Sequence, residues 1–216
     1  MQRIAVITGG SSGIGAAIAR RLTERGWQCV LLARTEERLR GVAEEIGAEW
    51  KVCDVGDRAA VERVATEIRG RHPAIHLLVC NAGIPGRTGF LTAEPERIED
   101  VMRVNYLGGE RAVPHYNVMG VAKAALDASV RYLAWDLGQK NIRINAVSAG
   151  PVRTLAARSI AGFPTMEAIV EERAPLHRPI SSDDVGAAAA YLLSDDAQNV
   201  TGTTLYVDSG YHAMGM

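Results

Sequence analysis

A chain of 216 residues with 47% hydrophobic content is long enough for one domain with a sizeable core. Its formal charge of -1 leaves no basic excess to footprint nucleic acid and no polybasic arm for a membrane surface. No apolar run is long enough to span a bilayer, and the opening MQRIAVITGG lacks the apolar region and cleavage site of a secretory leader, so a cytoplasmic protein is expected.

Short apolar runs alternate with helical periodicity from the start. Strands are predicted at 4–8, 29–33, 49–54 and 75–81, and helices at 13–26, 36–46 and 58–71. Parallel strands need crossover connections, so this alternation predicts an α/β fold: a Rossmann-type doubly wound parallel sheet in a single domain at 1–216. A long helix follows at 114–139, with Pro114 tolerated in its first turn. Two further strands are expected at 142–147 and 203–208, and a helix at 185–194 that Ser181 and Asp184 cap. Cys29, Cys53 and Cys80 are far apart and each lies in an apolar run, which predicts buried, reduced thiols. The five histidines show no metal-ligand spacing, so no metal is expected.

The turn after the first strand reads Thr8-Gly9-Gly10-Ser11-Ser12-Gly13-Ile14-Gly15 and opens a helix. Glycines let backbone approach a pyrophosphate, and the helix N-terminus presents unpaired N–H groups to it. Gly9, Ser11, Ser12, Gly13, Ile14 and Gly15 are therefore candidate cofactor contacts. Arg34 ends the second strand, where a site preferring NADH usually carries an acidic residue. A guanidinium there suits a 2′-phosphate and favours NADPH, with NADH the other candidate. Asp54 and Val55 end the third strand, and Asn81, Ala82 and Gly83 end the fourth, at the carboxyl edge where open α/β sheets bind ligands.

On the long helix, Tyr116 and Lys123 are seven apart and share one face, about 10 Å apart along the axis. A phenol kept acidic by an ammonium can donate to an oxygen that gains charge, which suits carbonyl chemistry. TGGSSGIG, DV and NAG together resemble the classical short-chain dehydrogenase/reductase family over roughly the first hundred residues. That family's Tyr-x3-Lys pair is absent, since Met119 stands four before Lys123. The Tyr106–Tyr116–Lys123 spacing resembles instead the enoyl-acyl-carrier-protein reductases, as do the runs RYLAWDLG, IRINAVSAGPVRTLAA and TGTTLYVDSGYHAMGM. This resemblance implies that Tyr116 hydrogen-bonds a thioester carbonyl and that Lys123 binds the nicotinamide ribose. Tyr106 would line the acyl pocket, and Pro151, Val152 and Thr154 would touch the cofactor. Residues 155–174 would be a substrate lid, or else an ordinary connecting helix. It further implies an acyl thioester substrate on acyl carrier protein or coenzyme A, and a homo-oligomer.

The two resemblances meet near Tyr106-Leu107-Gly108-Gly109, and joining them there omits about one helix and one strand. Between the fourth strand and the long helix there is room for one regular element, so the sheet lacks either one central strand or its covering helix. Residues 96–107 fit a helix better, with Ile98, Val101 and Met102 on one stripe, while 101–106 also alternates as a strand. The leading expectation is NAD(P)H-dependent enoyl thioester reduction. The alternatives are a classical ketone or 3-oxoacyl reductase and an inactive nucleotide-binding chimera.

Overall fold

The computed structural model describes residues 2–84, 117–154, 157 and 163–214. The chain divides into two compact units, Met1–Gly83 and Ile84–Met216.

In the first unit four parallel strands, β1 (Ile4–Thr8), β2 (Gln28–Ala33), β3 (Glu49–Val52) and β4 (Leu77–Val79), stand in the order β3-β2-β1-β4. Helices α1 (Gly13–Glu24), α2 (Glu36–Ile46) and α3 (Arg58–Arg71) make the crossovers, as the sequence predicts for a doubly wound α/β fold. Both faces of β1 and β2 are apolar because both are covered. Register pairs Val6 with Val30, and these residues join Ile4 and Leu32 in one cluster with Ala60, Val64 and Ile68 of α3. The alternate set, Ala5, Ile7, Cys29 and Leu31, faces the other way, where the Cys29 thiol lies 3.7 Å from the Ala19 carbonyl of α1. Asp57 starts α3 by accepting from the N–H groups of Ala59 at 2.9 Å and Ala60 at 3.3 Å. Gly47, at φ 67°, ends α2 in the left-handed conformation.

In the second unit α4 (Asn117–Gly138) precedes β5 (Ala146–Ala149), and α5 (Phe163–Arg173) and α6 (Ser182–Leu192) precede β6 (Thr204–Val207). β5 and β6 pair in parallel, Ala146 with Thr204 through Ala149 with Val207. The predicted capping box is present: the Ser181 hydroxyl accepts from Asp184 N–H at 3.2 Å, and the Asp184 carboxylate accepts from Ser181 N–H at 2.9 Å. Arg143 satisfies the far end of α6, donating to the carbonyls of Leu192 at 2.6 Å and Ser194 at 3.2 Å.

Two expectations need correction. The fifth strand is Ala146–Ala149, starting four residues later than the predicted 142–147. Residues 144 and 145 instead meet the turn before β6, where Ile144 N–H donates to Thr201 at 3.1 Å and Asn145 donates to the Val200 carbonyl at 2.8 Å. Cys80 is exposed, unlike the buried Cys29 and Cys53, because it lies just past the short β4. The element weighed at 96–107 lies outside the described residues.

Candidate active site

Because the strands of the first unit are parallel, the segments after β1, β2, β3 and β4 leave the sheet at one edge. The Thr8 side chain stitches two of them together. Its hydroxyl donates to the Val79 carbonyl at 3.2 Å and accepts from the N–H groups of Asn81 at 2.9 Å and Ala82 at 3.1 Å. The Asn81 amide returns the link, donating to the carbonyls of Thr8 at 3.1 Å and Gly9 at 3.4 Å. A methyl group on Gly9, at φ 68°, would sit 2.7 Å from that amide nitrogen. One on Gly15 would sit 2.6 Å from it and collide with the Gly9 carbonyl. The glycines are thus needed for close approach between the loop and the end of β4.

Ser12 stands at the N-cap of α1 without a side-chain cap bond. The first-turn N–H groups of Gly13, Ile14 and Gly15 have no partner within the helix. Such a terminus suits a phosphate. Ser11, Ser12, Gly13 and Ile14 are half-buried around it. Arg34 is exposed beyond β2, and Gly83 is exposed beyond β4. Asp54 and Val55 are half-buried beyond β3, where the Asp54 carboxylate accepts from Gly56 N–H at 2.9 Å and holds the turn.

In the second unit Lys123 is half-buried on α4, and burial pushes its ammonium below the ordinary lysine value. Pro151, Val152 and Thr154 follow β5. Gly150 N–H donates to the Val207 carbonyl at 3.0 Å, Val152 forms a parallel bridge with Ile180, and the Thr154 hydroxyl accepts from Ala157 N–H at 3.1 Å. Tyr106 and Tyr116 lie outside the described residues, as does most of 155–162. Sequence reasoning passed over Thr8, whose place at the head of the glycine loop was the available signal. It also passed over Asp127, which accepts from the Thr204 hydroxyl at 2.6 Å and is held below the usual carboxylate range by Thr204 and then Arg131. The i,i+4 pairing with Arg131 is local and marks only an ordinary helix surface pair, while the Thr204 contact lies far along the chain.

The sheet order and the glycine edge fit a nucleotide-binding α/β fold, and residues 3–109 match the short chain dehydrogenase family, a class of oxidoreductases. Residues 103–212 match the enoyl-(acyl carrier protein) reductase family. The chain is 38% identical to the enoyl-[acyl-carrier-protein] reductase [NADH] FabI of Bacillus subtilis, over 92% of this chain and 91% of that one. The chain belongs to the enoyl-acyl-carrier-protein reductase family. A Staphylococcus aureus relative, the NADPH enzyme FabI, is 58% identical over 114 residues, 53% of this chain and 44% of that protein. The crystal structure of the Bacillus cereus enoyl-acyl carrier protein reductase with NADP+ and indole naphthyridinone superposes with a TM-score of 0.91 at 34% identity, covering 100% of both chains.

The Bacillus subtilis alignment runs over 234 positions and takes in 92% of this chain's 216 residues, about 199. About 35 positions of the alignment therefore have no counterpart here. The two family matches overlap at 103–109, which includes the Tyr106–Gly109 tetrapeptide.

Proposed function

We propose that the protein reduces the carbon–carbon double bond of a 2-enoyl thioester, on acyl carrier protein or coenzyme A, in cytoplasmic fatty acid synthesis. The observation that carries this reading is family membership sustained over both halves of the chain. The glycine edge supports it: the cradle at Gly9 and Gly15 has no room for side chains, and the α1 terminus suits a pyrophosphate. When bound, the reduced nicotinamide supplies a hydride to the β-carbon of the enoyl group.

The chain's own residues orient and polarise. Ser11, Ser12 and the N–H groups of Gly13, Ile14 and Gly15 hold the pyrophosphate, with Thr154 beside it. Asn81, Ala82 and Gly83 border the ribose, and Asp54 and Val55 the adenine. Lys123 holds the nicotinamide ribose hydroxyls. Tyr116 donates to the thioester carbonyl oxygen as enolate charge develops there, and Tyr106 lines the acyl pocket. Exposed Arg34 favours NADPH, although relatives of both cofactor types exist. Residues 155–174, which include α5, form the substrate lid of a single nucleotide-binding domain. A homo-oligomer is proposed from α4, where Tyr132 and Trp135 are 75% and 76% exposed on one apolar stripe with Val121 and Ala128.

Crotonyl and acetoacetyl thioesters, each with NADPH and with NADH, test the reading. Faster turnover of the enoyl substrate is expected. Faster keto turnover would establish the 3-oxoacyl reductase instead, and cofactor binding without turnover of either would establish the inactive chimera.

A further inference from the structure

We infer that Arg153 is a positioning residue: the buried Glu167 carboxylate grips its guanidinium, tying the loop after β5 to α5 and setting where Thr154 stands. The inference rests on the proposed reading in one respect, that Thr154 serves the cofactor.

Glu167 is 8% exposed, on the inward side of α5. A carboxylate so placed is costly unless a cation meets it. Arg153 does, its Nε lying 2.7 Å from Oε1 and 2.9 Å from Oε2. The two residues are fourteen apart in sequence, so the contact is not a local helical pair. Glu171, one turn further along α5, adds attraction for the same guanidinium, which together hold it more firmly charged than a free arginine.

Packing does not account for the arginine, since its side chain is 80% exposed. Its backbone position explains it better. Thr154 N–H donates to the Val152 carbonyl at 2.8 Å, closing a three-residue turn with Arg153 at the apex. In so tight a turn the direction of the central side chain and the orientation of the next residue are coupled. Other hydrogen bonds of the loop, and its bridge, run to β6, to Ile180 and within itself. Among the described residues, the Arg153–Glu167 pair is its hydrogen-bonded tie to α5.

The test uses the full chain and two readouts, melting temperature without cofactor and equilibrium NADPH affinity from cofactor fluorescence. Arg153→Met should lower both, because it strands a buried charge, with affinity falling about tenfold. Arg153→Met with Glu167→Leu removes the stranded charge. We expect its melting temperature to return to the wild-type value while NADPH affinity stays weak. Arg153→Lys, which keeps a cation on Glu167, should hold affinity within about threefold of wild type. Recovery of both readouts in the double variant would overturn the inference and leave a merely structural ion pair. Failure of the wild-type chain to bind either dinucleotide would overturn this inference and the proposed function together. Wild-type binding with unaltered affinity in every variant would overturn this inference alone.

Discussion

The first unit joins its glycine edge with backbone and short side chains, whereas the second joins its elements with long charged ones. Around the glycine edge the joining groups are the Thr8 hydroxyl, the Asn81 amide and glycines that leave no room for a methyl group. In the second unit the corresponding work falls to Arg143 across the end of α6, to Asp127 of α4 against Thr204 of β6, and to the Arg153–Glu167 pair. A backbone-built edge is rigid and depends on spacing that is visible in the chain. A side-chain-built one depends on partners 14 to 77 residues away, so each piece has meaning only when its partner is known.

The largest effect expected from this contrast is at Lys123. Lys123→Met should cut enoyl turnover by about a hundredfold, the range for misplacing a bound reactant by about 1 Å. It should also raise the melting temperature near neutral pH. The sign follows from burial, which holds the folded-state value of Lys123 below the ordinary 10.5. The folded state therefore binds this proton less tightly than the unfolded chain does. That penalty is fully present below the folded-state value and fades as pH rises through it toward 10.5. The stability advantage of the methionine variant should shrink over the same interval, as thermal melts at stepped pH would record. A variant no more stable than wild type at neutral pH would show that the ammonium is well compensated.

In the first unit the corresponding test is Thr8→Val, which keeps the strand-forming shape and removes the hydroxyl. Asn81 and Ala82 then lose the acceptor for their N–H groups, and stability should fall by about 1–3 kcal/mol. Cofactor affinity should fall with it, because the same bonds align the glycine loop with the end of β4. Urea unfolding and cofactor titration measure the two losses. A stability loss with unchanged affinity would break the idea that this edge acts as one piece.

The same contrast explains how much could be read in advance. β1, β2, α2 and α3 follow from alternation and helical periodicity because both faces of those strands are buried and the crossovers are short. The glycine cradle was legible for the reason that it is made of spacing. Thr8 was not singled out, since a threonine at a strand end has many innocuous uses and its three bonds reach residues more than seventy positions on. β5 starts later than the apolar run at 142 predicts, because Ile142 is exposed and the turn at Thr201 claims the backbone of Ile144. Glu167 had no signal at all: a glutamate on a helix ordinarily faces water, and only the fold shows it turned inward onto Arg153. The roles of Tyr106 and Thr154 come from resemblance rather than from pattern, whereas Tyr116 is marked also by its spacing from Lys123 on one helix face.

The smallest effect sharpens the comparison by isolating scaffold from site within the second unit. Ser181→Ala removes one arm of the capping box, so Asp184 N–H loses its acceptor while Asp184 can still accept from the backbone of residue 181. A cap of this kind is worth about 1 kcal/mol. Urea unfolding should report that loss. Cofactor affinity should not move, because the cap acts on the first turn of α6 and none of its groups belongs to the proposed site. Val152 bridges Ile180, immediately before the cap, so the separation is a real test. If the cap variant weakened NADPH binding as much as Arg153→Met does, stability lost anywhere around this loop would be enough to disturb the cofactor. The ion pair to α5 would then have no special claim on Thr154.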